Sequence, residues 1–272
     1  MDKYELAVVV SNYNQNKNLY ETIDAIKDAG FKNVFLEWYD EDWETSQEEQ
    51  LRYVKEKGLN IIFAHLGYQG INNLWIDEDT GIVERYKKDI KDCYDNGINM
   101  VCMHLTAYNE APMYNEIGLN RLQEICDYAE SLGVKVAFEN TKIKGYLDYV
   151  IDNIKNSNVG ICYDSGHVHA HFNDEFDYNK FKDRIFAVHL HDNNGEIDEH
   201  LLPFEGTIDF DTTISKLREN GFEGYTTLEI HYYKQYSDMT VDEFYKKGYE
   251  IGLKLKRKFE EKEYGKSKSL FL

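Results

Sequence analysis

The chain has 272 residues, 42% hydrophobic and 30% charged, so it can bury a large core and reads as a soluble globular protein. Its 31 basic and 50 acidic residues leave a formal charge of −19, which disfavours a nucleic-acid backbone as partner, because that binding draws on Lys and Arg contacts. No apolar run approaches the ~18 residues of a membrane span, and the opening MDKYELAVVVSN lacks the apolar core and cleavage site of a signal peptide.

In chain order, short β-branched or aromatic runs alternate with amphipathic segments. LAVVV (6–10) is the first strand, followed by a helix near 17–29 that stops at Gly30. NVFLEW (33–38) precedes a helix near 46–57 and Gly58, with the acidic, aromatic WYDEDWETSQEEQ (38–50) between them. NIIFAH (60–65) leads to a helix near 82–96 before Gly97, and NMVCMH (99–104) to one near 116–132 before Gly133. VKVAFE (134–139), VGICYD (159–164), IFAVHLH (185–191) and YTTLEI (225–230) complete the strands. Their helices are expected near 145–156, 175–183, 210–220 and 240–260, the third stopping at Gly221. Glycine directly after a helix suits the left-handed cap conformation.

Eight such units with near-continuous apolar strands predict an α/β fold, a (β/α)8 TIM barrel. A doubly wound sheet usually shows a Gly-rich first turn, which this chain lacks. With no Pro- or Ser-rich linker, one domain is expected over 1–272, with about 262–272 as a C-terminal tail. Cys93, Cys102, Cys126 and Cys162 form no CxxC pair and read as buried thiols in a reducing compartment, so the cytoplasm is the expected location.

In such a barrel, chemistry sits at the C-terminal ends of the strands. Here those ends carry Glu37, His65, His104, Glu139, Asp164, the pair His189/His191, and Glu229. One polar strand end means little, but seven converging on one mouth are hard to explain by solubility. Imidazole and carboxylate without thiolate suit Zn, Mn, Co or Fe, and a carboxylate-rich set also accepts Mg. Glu139, Asp164, His189 and Glu229 could close around one divalent ion. His189 and His191 face the same side of their strand, so only one need be a ligand.

In VGICYDSGHVHAHFND (159–174), Asp-x-x-His brings His167 near Asp164, whereas His169 and His171 are expected in a loop or first helical turn as bystanders. His231, just past Glu229, is expected on the opposite strand face with a structural role. Asp198 and His200 in HDNNGEIDEHLLPFEGTIDF (191–210) could bind an ion from a loop. Trp38, Tyr39, Trp43, Tyr68 and Trp75 follow strands two and three, where they could stack on a sugar ring or form an oligomer contact. Lys142 is the nearest cation to the expected site.

AFENTK (137–142), CYDSGH (162–167), VHLHDN (188–193), DEHLLPFEGTIDF (198–210) and LEI (228–230) resemble, in order, the motifs of the xylose isomerase-like barrel superfamily. That superfamily joins sugar and sugar-phosphate isomerases and epimerases to endonuclease IV-type apurinic endonucleases. In the epimerase branch the resemblance implies one metal on Glu139, Asp164, His189 and Glu229. Glu139 and Glu229 would also transfer protons, with His167 assisting at a substrate oxygen. A metal would polarise a ketose carbonyl and stabilise an enediolate while a carboxylate takes the adjacent proton. His189 is preferred over His191 as ligand by this resemblance, leaving His191 with Trp38, Tyr68 and Lys142 as substrate contacts. An arginine found after the strand-seven motif in some epimerases is absent from HDNNGEIDEH.

The endonuclease branch implies up to three zinc ions, and His65, His104, His167, Asp198 and His200 fill its additional positions. Against a DNA substrate stand the acidic residues of segments 38–50 and 191–200, which contain no Lys or Arg. The expected function is therefore a divalent-metal-dependent isomerase or epimerase of a neutral sugar, keto-sugar or cyclitol, a sugar phosphate being less favoured. A dehydratase would use the same residues. The alternatives are an apurinic endonuclease with a trinuclear site and a non-catalytic sugar-binding barrel. Homo-oligomer formation is left open.

Overall fold

The computed structural model describes residues 3–11, 18–38 and 46–261. Tyr39, Trp43, most of the acidic segment after the second strand, and the expected tail at 262–272 lie outside the described residues. Eight parallel strands alternate with eight helices. The strands are β1 (Leu6–Val10), β2 (Asn33–Trp38), β3 (Asn60–Leu66), β4 (Met100–Met103), β5 (Lys135–Glu139), β6 (Val159–Asp164), β7 (Ile185–His189) and β8 (Thr226–Leu228). The helices are α1 (Leu19–Ala29), α2 (Gln47–Glu56), α3 (Ile82–Asp95), α4 (Glu116–Leu132), α5 (Tyr146–Asn153), α6 (Ser165–Phe172), α7 (Phe210–Glu219) and α8 (Val241–Glu260). The sheet runs from β7 down to β1 and on to β8. A bridge between Leu190 and Leu228 joins its two edges, with Leu190 N donating to Thr227 O at 3.0 Å. The expected TIM barrel is therefore the observed fold.

Strand alternation explains how the barrel is filled. Val9, Phe35, Phe63, Cys102, Ala137, Cys162 and Ala187 point inward and form a floor, with Phe35 and Phe63 stacked at 4.6 Å opposite smaller neighbours. The alternate residues, among them Val8, Leu36, Val101 and Val136, face outward into the larger shell beneath the helices. Because side chains repeat every two residues, the next inward positions above the floor are Glu37, His65, His104, Glu139, Asp164 and His189. The apolar floor and the polar mouth are one pattern read two residues apart.

One helix differs from expectation. Residues 175–183 form turns, and α6 instead begins directly after β6. The reason is Asp164, whose side chain accepts from His167 N at 2.6 Å and so caps a helix at the strand end. Left-handed Asn173 and Asp174 then terminate it. His167, His169 and His171 therefore lie on a helix, His167 and His171 on one face with rings 5.9 Å apart. Among the described residues, no helix is long and apolar enough to cross a membrane.

Candidate active site

Glu139 is the centre of the mouth. Its Oε2 lies 3.0 Å from His65 Nε2 and 3.4 Å from each of His104 Nε2, His189 Nδ1 and Cys102 Sγ. Its Oε1 lies 3.0 Å from His167 Nδ1. Burial opposes its charge, but His104, His189 and His167 hold its carboxyl well below the usual range. His65 donates from Nδ1 to Leu66 O at 3.1 Å, which orients Nε2 toward Glu139. Burial lowers the pKa of His65, which keeps the ring neutral.

Glu139, Asp164, His189 and Glu229 bring four ligand atoms within 4.8 Å of one another. His189 is fully buried and neither ring nitrogen has a hydrogen-bond partner. Its Nδ1 faces Glu229 Oε1 at 3.4 Å and Asp164 Oδ2 at 3.8 Å as well as Glu139. Three carboxyl groups buried together around one imidazole are costly unless a cation compensates them, so this donor set fits a divalent metal. Glu229 is pushed the other way from Glu139, well above the ordinary carboxyl range, chiefly by burial. The imidazoles around Glu139 and the burial of Glu229 thus push the two carboxyls in opposite directions.

A second group lies across the mouth. Asp198 Oδ2 is 3.2 Å from His167 Nε2 and 3.1 Å from His200 Nε2. Burial opposes ionisation of Asp198, yet His200, His167 and His191 hold it well below the carboxyl range. Burial likewise opposes a charge on His200, but Asp198 dominates and lifts it to about 10. His200 has a left-handed backbone (φ 48°), costly for a residue with a side chain, and its Nδ1 is held by Glu229 O at 3.0 Å. Asp192 pins this loop by accepting from the amides of Asn193, Phe204 and Ile208 at 2.9–3.1 Å. Asp192→Ala leaves three amides without their acceptor, and about 3 kcal/mol or more of stability should be lost. Denaturant unfolding would show it; an unchanged midpoint would mean the loop holds itself.

The expected residues separate as follows. Tyr68 and Lys142 line the mouth, with Tyr68 stacked on His104 at 5.2 Å. Trp38 does not line it, because it follows inward-facing Glu37 and so points into the outer shell. Trp75 is also core, donating to Leu105 O at 2.8 Å. His191, expected against substrate, is fully buried behind the mouth, with Nε2 3.0 Å from Asp164 Oδ2. His231 requires the opposite correction. It lies two positions beyond Glu229, so it faces the same mouth, stacked on His200 at 4.2 Å with Nε2 3.7 Å from Glu37 Oε1. Sequence reasoning missed Thr106, Tyr108, Thr141 and Tyr233, which also line the cavity. Tyr233 repeats the same two-residue step beyond His231, a signal that was available.

His169 lies away from the cavity, between Asp174 Oδ1 (2.8 Å) and Thr207 Oγ1 (2.7 Å). His169→Ala should leave bound metal unchanged and cost about 1 kcal/mol. Loss of metal from that variant, measured by elemental analysis, would contradict this placement.

The family model for the xylose isomerase-like TIM barrel matches residues 23–255, and the chain belongs to that family. An uncharacterised protein of Methanocaldococcus jannaschii is 35% identical over 119 residues, 40% of this chain and 41% of that one. An inosose isomerase of Bacillus velezensis is 23% identical over 84% of this chain and 89% of its own length. A probable endonuclease 4 of Mycoplasma capricolum subsp. capricolum is 25% identical over 52% of this chain and 56% of its own. The chain thus spans less than half the length of the archaeal relative it matches. Among solved structures, a D-tagatose 3-epimerase-like protein aligns with TM-score 0.72 at 20% identity, covering 93% of this chain and 98% of that one. The IOLI protein with a bound zinc atom aligns with TM-score 0.73 at 19% identity, covering 94% and 99%. These structural likenesses show the fold.

Proposed function

We propose that the chain is a divalent-metal-dependent isomerase or epimerase of a small hydroxylated carbonyl compound, a neutral keto-sugar or cyclitol ketone. The observation that carries this reading is the pair Glu139 and Glu229, set with Asp164 around buried His189 so that the four ligand atoms lie within 4.8 Å of one another. Both open on a cavity of about 280 Å³, which is near the small end of ligand sites. Glu139, Asp164, His189 and Glu229 would hold the metal, and the names of the inosose isomerase and the epimerase-like protein support the reaction class. When bound, the cation polarises the substrate carbonyl. Glu139 would take the proton from the adjacent carbon, and Glu229 would hand one back from the opposite side. His167, between Glu139 and Asp198, holds a substrate oxygen. Tyr68, Tyr108 and Tyr233 enclose the ring and Lys142 contacts its hydroxyls.

The test is proton NMR of ketohexoses and inososes in heavy water with metal-loaded protein. Exchange of the carbon-bound hydrogen beside the carbonyl is expected even where no net product accumulates. Absence of exchange across the panel would overturn the reading. A second reading, phosphodiester hydrolysis at abasic DNA, is favoured by one observation. His65 and His104 with Glu139, and His167, Asp198 and His200, form two further donor groups beside the first. About three zinc ions per chain and nicking of abasic DNA would favour it over isomerisation.

Chelation supplies a separate prediction. At an ion concentration of about 1,000 times Kd, removing the ion costs roughly 4 kcal/mol, a fall in Tm of about 8–15 °C for a chain this long. A scanning-fluorimetry midpoint unmoved by chelator would argue against a bound metal.

A further inference from the structure

We infer that Glu37, with His231 beside it, forms a second polar subsite in the same cavity, which holds a hydroxyl at the end of the substrate remote from its carbonyl. The inference rests on the isomerase reading of the mouth and narrows its substrate class to compounds unphosphorylated at that end.

Neither residue belongs to the proposed metal set or to the proton-transfer pair, yet both line the cavity and each is only 4% exposed. Glu37 continues the inward row of β2 above Phe35, and His231 continues that of β8 two positions beyond Glu229. β1 lies between those strands, so the two side chains meet across its end. Glu37 Oε1 and His231 Nε2 are 3.7 Å apart, longer than a hydrogen bond. A hydroxyl can donate to the carboxyl while its oxygen rests against the imidazole edge. That imidazole is fixed in place, with Nδ1 2.8 Å from the Tyr233 hydroxyl and the ring stacked on His200 at 4.2 Å. A wall ordered beforehand spares a ligand the cost of ordering it.

Placement around the ring sets which part of a substrate lies there. Glu139, Asp164 and His189 end β5, β6 and β7, and Glu229 follows β8. In a ring of eight strands β2 lies opposite β6. A carbonyl held among the four proposed metal ligands thus leaves the rest of the molecule extending toward Glu37. A carboxyl there suits hydroxyls and offers a phosphate no counter-charge. Among the described residues lining the cavity, Lys142 is the only lysine or arginine, and it follows β5.

The experiment is the hydrogen-exchange assay on the metal-loaded full chain with matched compounds. These are a ketohexose, its 6-deoxy analogue and its 6-phosphate, and an inosose with the analogue deoxygenated opposite the ketone. Expected is a kcat/KM roughly 10- to 100-fold lower for each deoxy compound than for its parent, mostly through KM, with the phosphate slower than the parent. Glu37→Met, similar in length but without an acceptor, should raise KM for the parent and erase most of that difference. Its bound metal, counted by elemental analysis, should stay at the wild-type level. A wild-type chain that exchanges parent and deoxy analogue equally, or favours the phosphate, overturns the inference and leaves the isomerase reading standing; this arm needs no variant to fold. A Glu37→Met chain that keeps the difference, or loses the same factor on both compounds as a structural role requires, also overturns it. Exchange with no compound overturns the isomerase reading and this inference together.

Discussion

Glu139→Gln is expected to abolish turnover and to empty the mouth of metal while the barrel stays folded. Five side chains contact this carboxylate: His65, Cys102, His104 and His189 at one oxygen and His167 at the other. The amide keeps the volume but presents no charge, and its nitrogen cannot bind a cation. A loss of at least about 10³-fold in rate is expected, since both the proton acceptor and a metal ligand disappear together. Glu229→Gln should cost a comparable amount through loss of the proton donor. Circular dichroism would establish that each variant is folded, and the hydrogen-exchange assay would give the rate. Full activity in either variant would refute the acid/base assignment.

The second large effect is at Gly166, in the first turn of α6. A Cβ there would lie 1.9 Å from His191 Cε1 and 2.5 Å from its Nδ1. The ring cannot yield easily, because it is fully buried, stacked on His200 at 4.1 Å and bonded to Asp164. Gly166→Ala therefore forces backbone or ring displacement, an overpacking cost of roughly 2–3 kcal/mol. The expected signature is a Tm lower by about 4–12 °C, together with weaker metal binding, because His191 holds the Asp164 carboxylate. A variant with wild-type Tm and metal content would mean that His191 has room to move.

Much of this molecule is legible from periodicity. Strand positions follow from runs such as VGICYD and NVFLEW, whose side chains must be buried on both faces of a closed barrel. Alternation then assigns Glu37, His65, His104, Glu139, Asp164 and His189 to the mouth, two residues beyond the floor formed by Phe35, Phe63, Cys102, Ala137, Cys162 and Ala187. The same rule, applied correctly, also assigns His231 and Tyr233 to the mouth and Trp38 to the outer shell. The start of α6 is not legible in this way. A helix of eight residues has little periodicity, and its start depends on one aspartate that caps the helix while also facing the histidines.

The sequence by itself determined the barrel, the end of it that carries chemistry, and the residue types available there, because period-two burial and helix caps are local properties of the chain. Only the tertiary structure decided how those groups pair. Glu139 comes within 3–3.4 Å of donors from β3, β7 and α6 and from His104 just past β4, because closure of the barrel sets strand tilt and stagger, which no local pattern encodes. His191 is excluded from the cavity for a similar reason: the chain leaves β7 and turns behind Asp164, where the Ser165 hydroxyl donates to His191 O at 2.8 Å. Chemistry was written in the strand ends, and geometry was set by the ring they close.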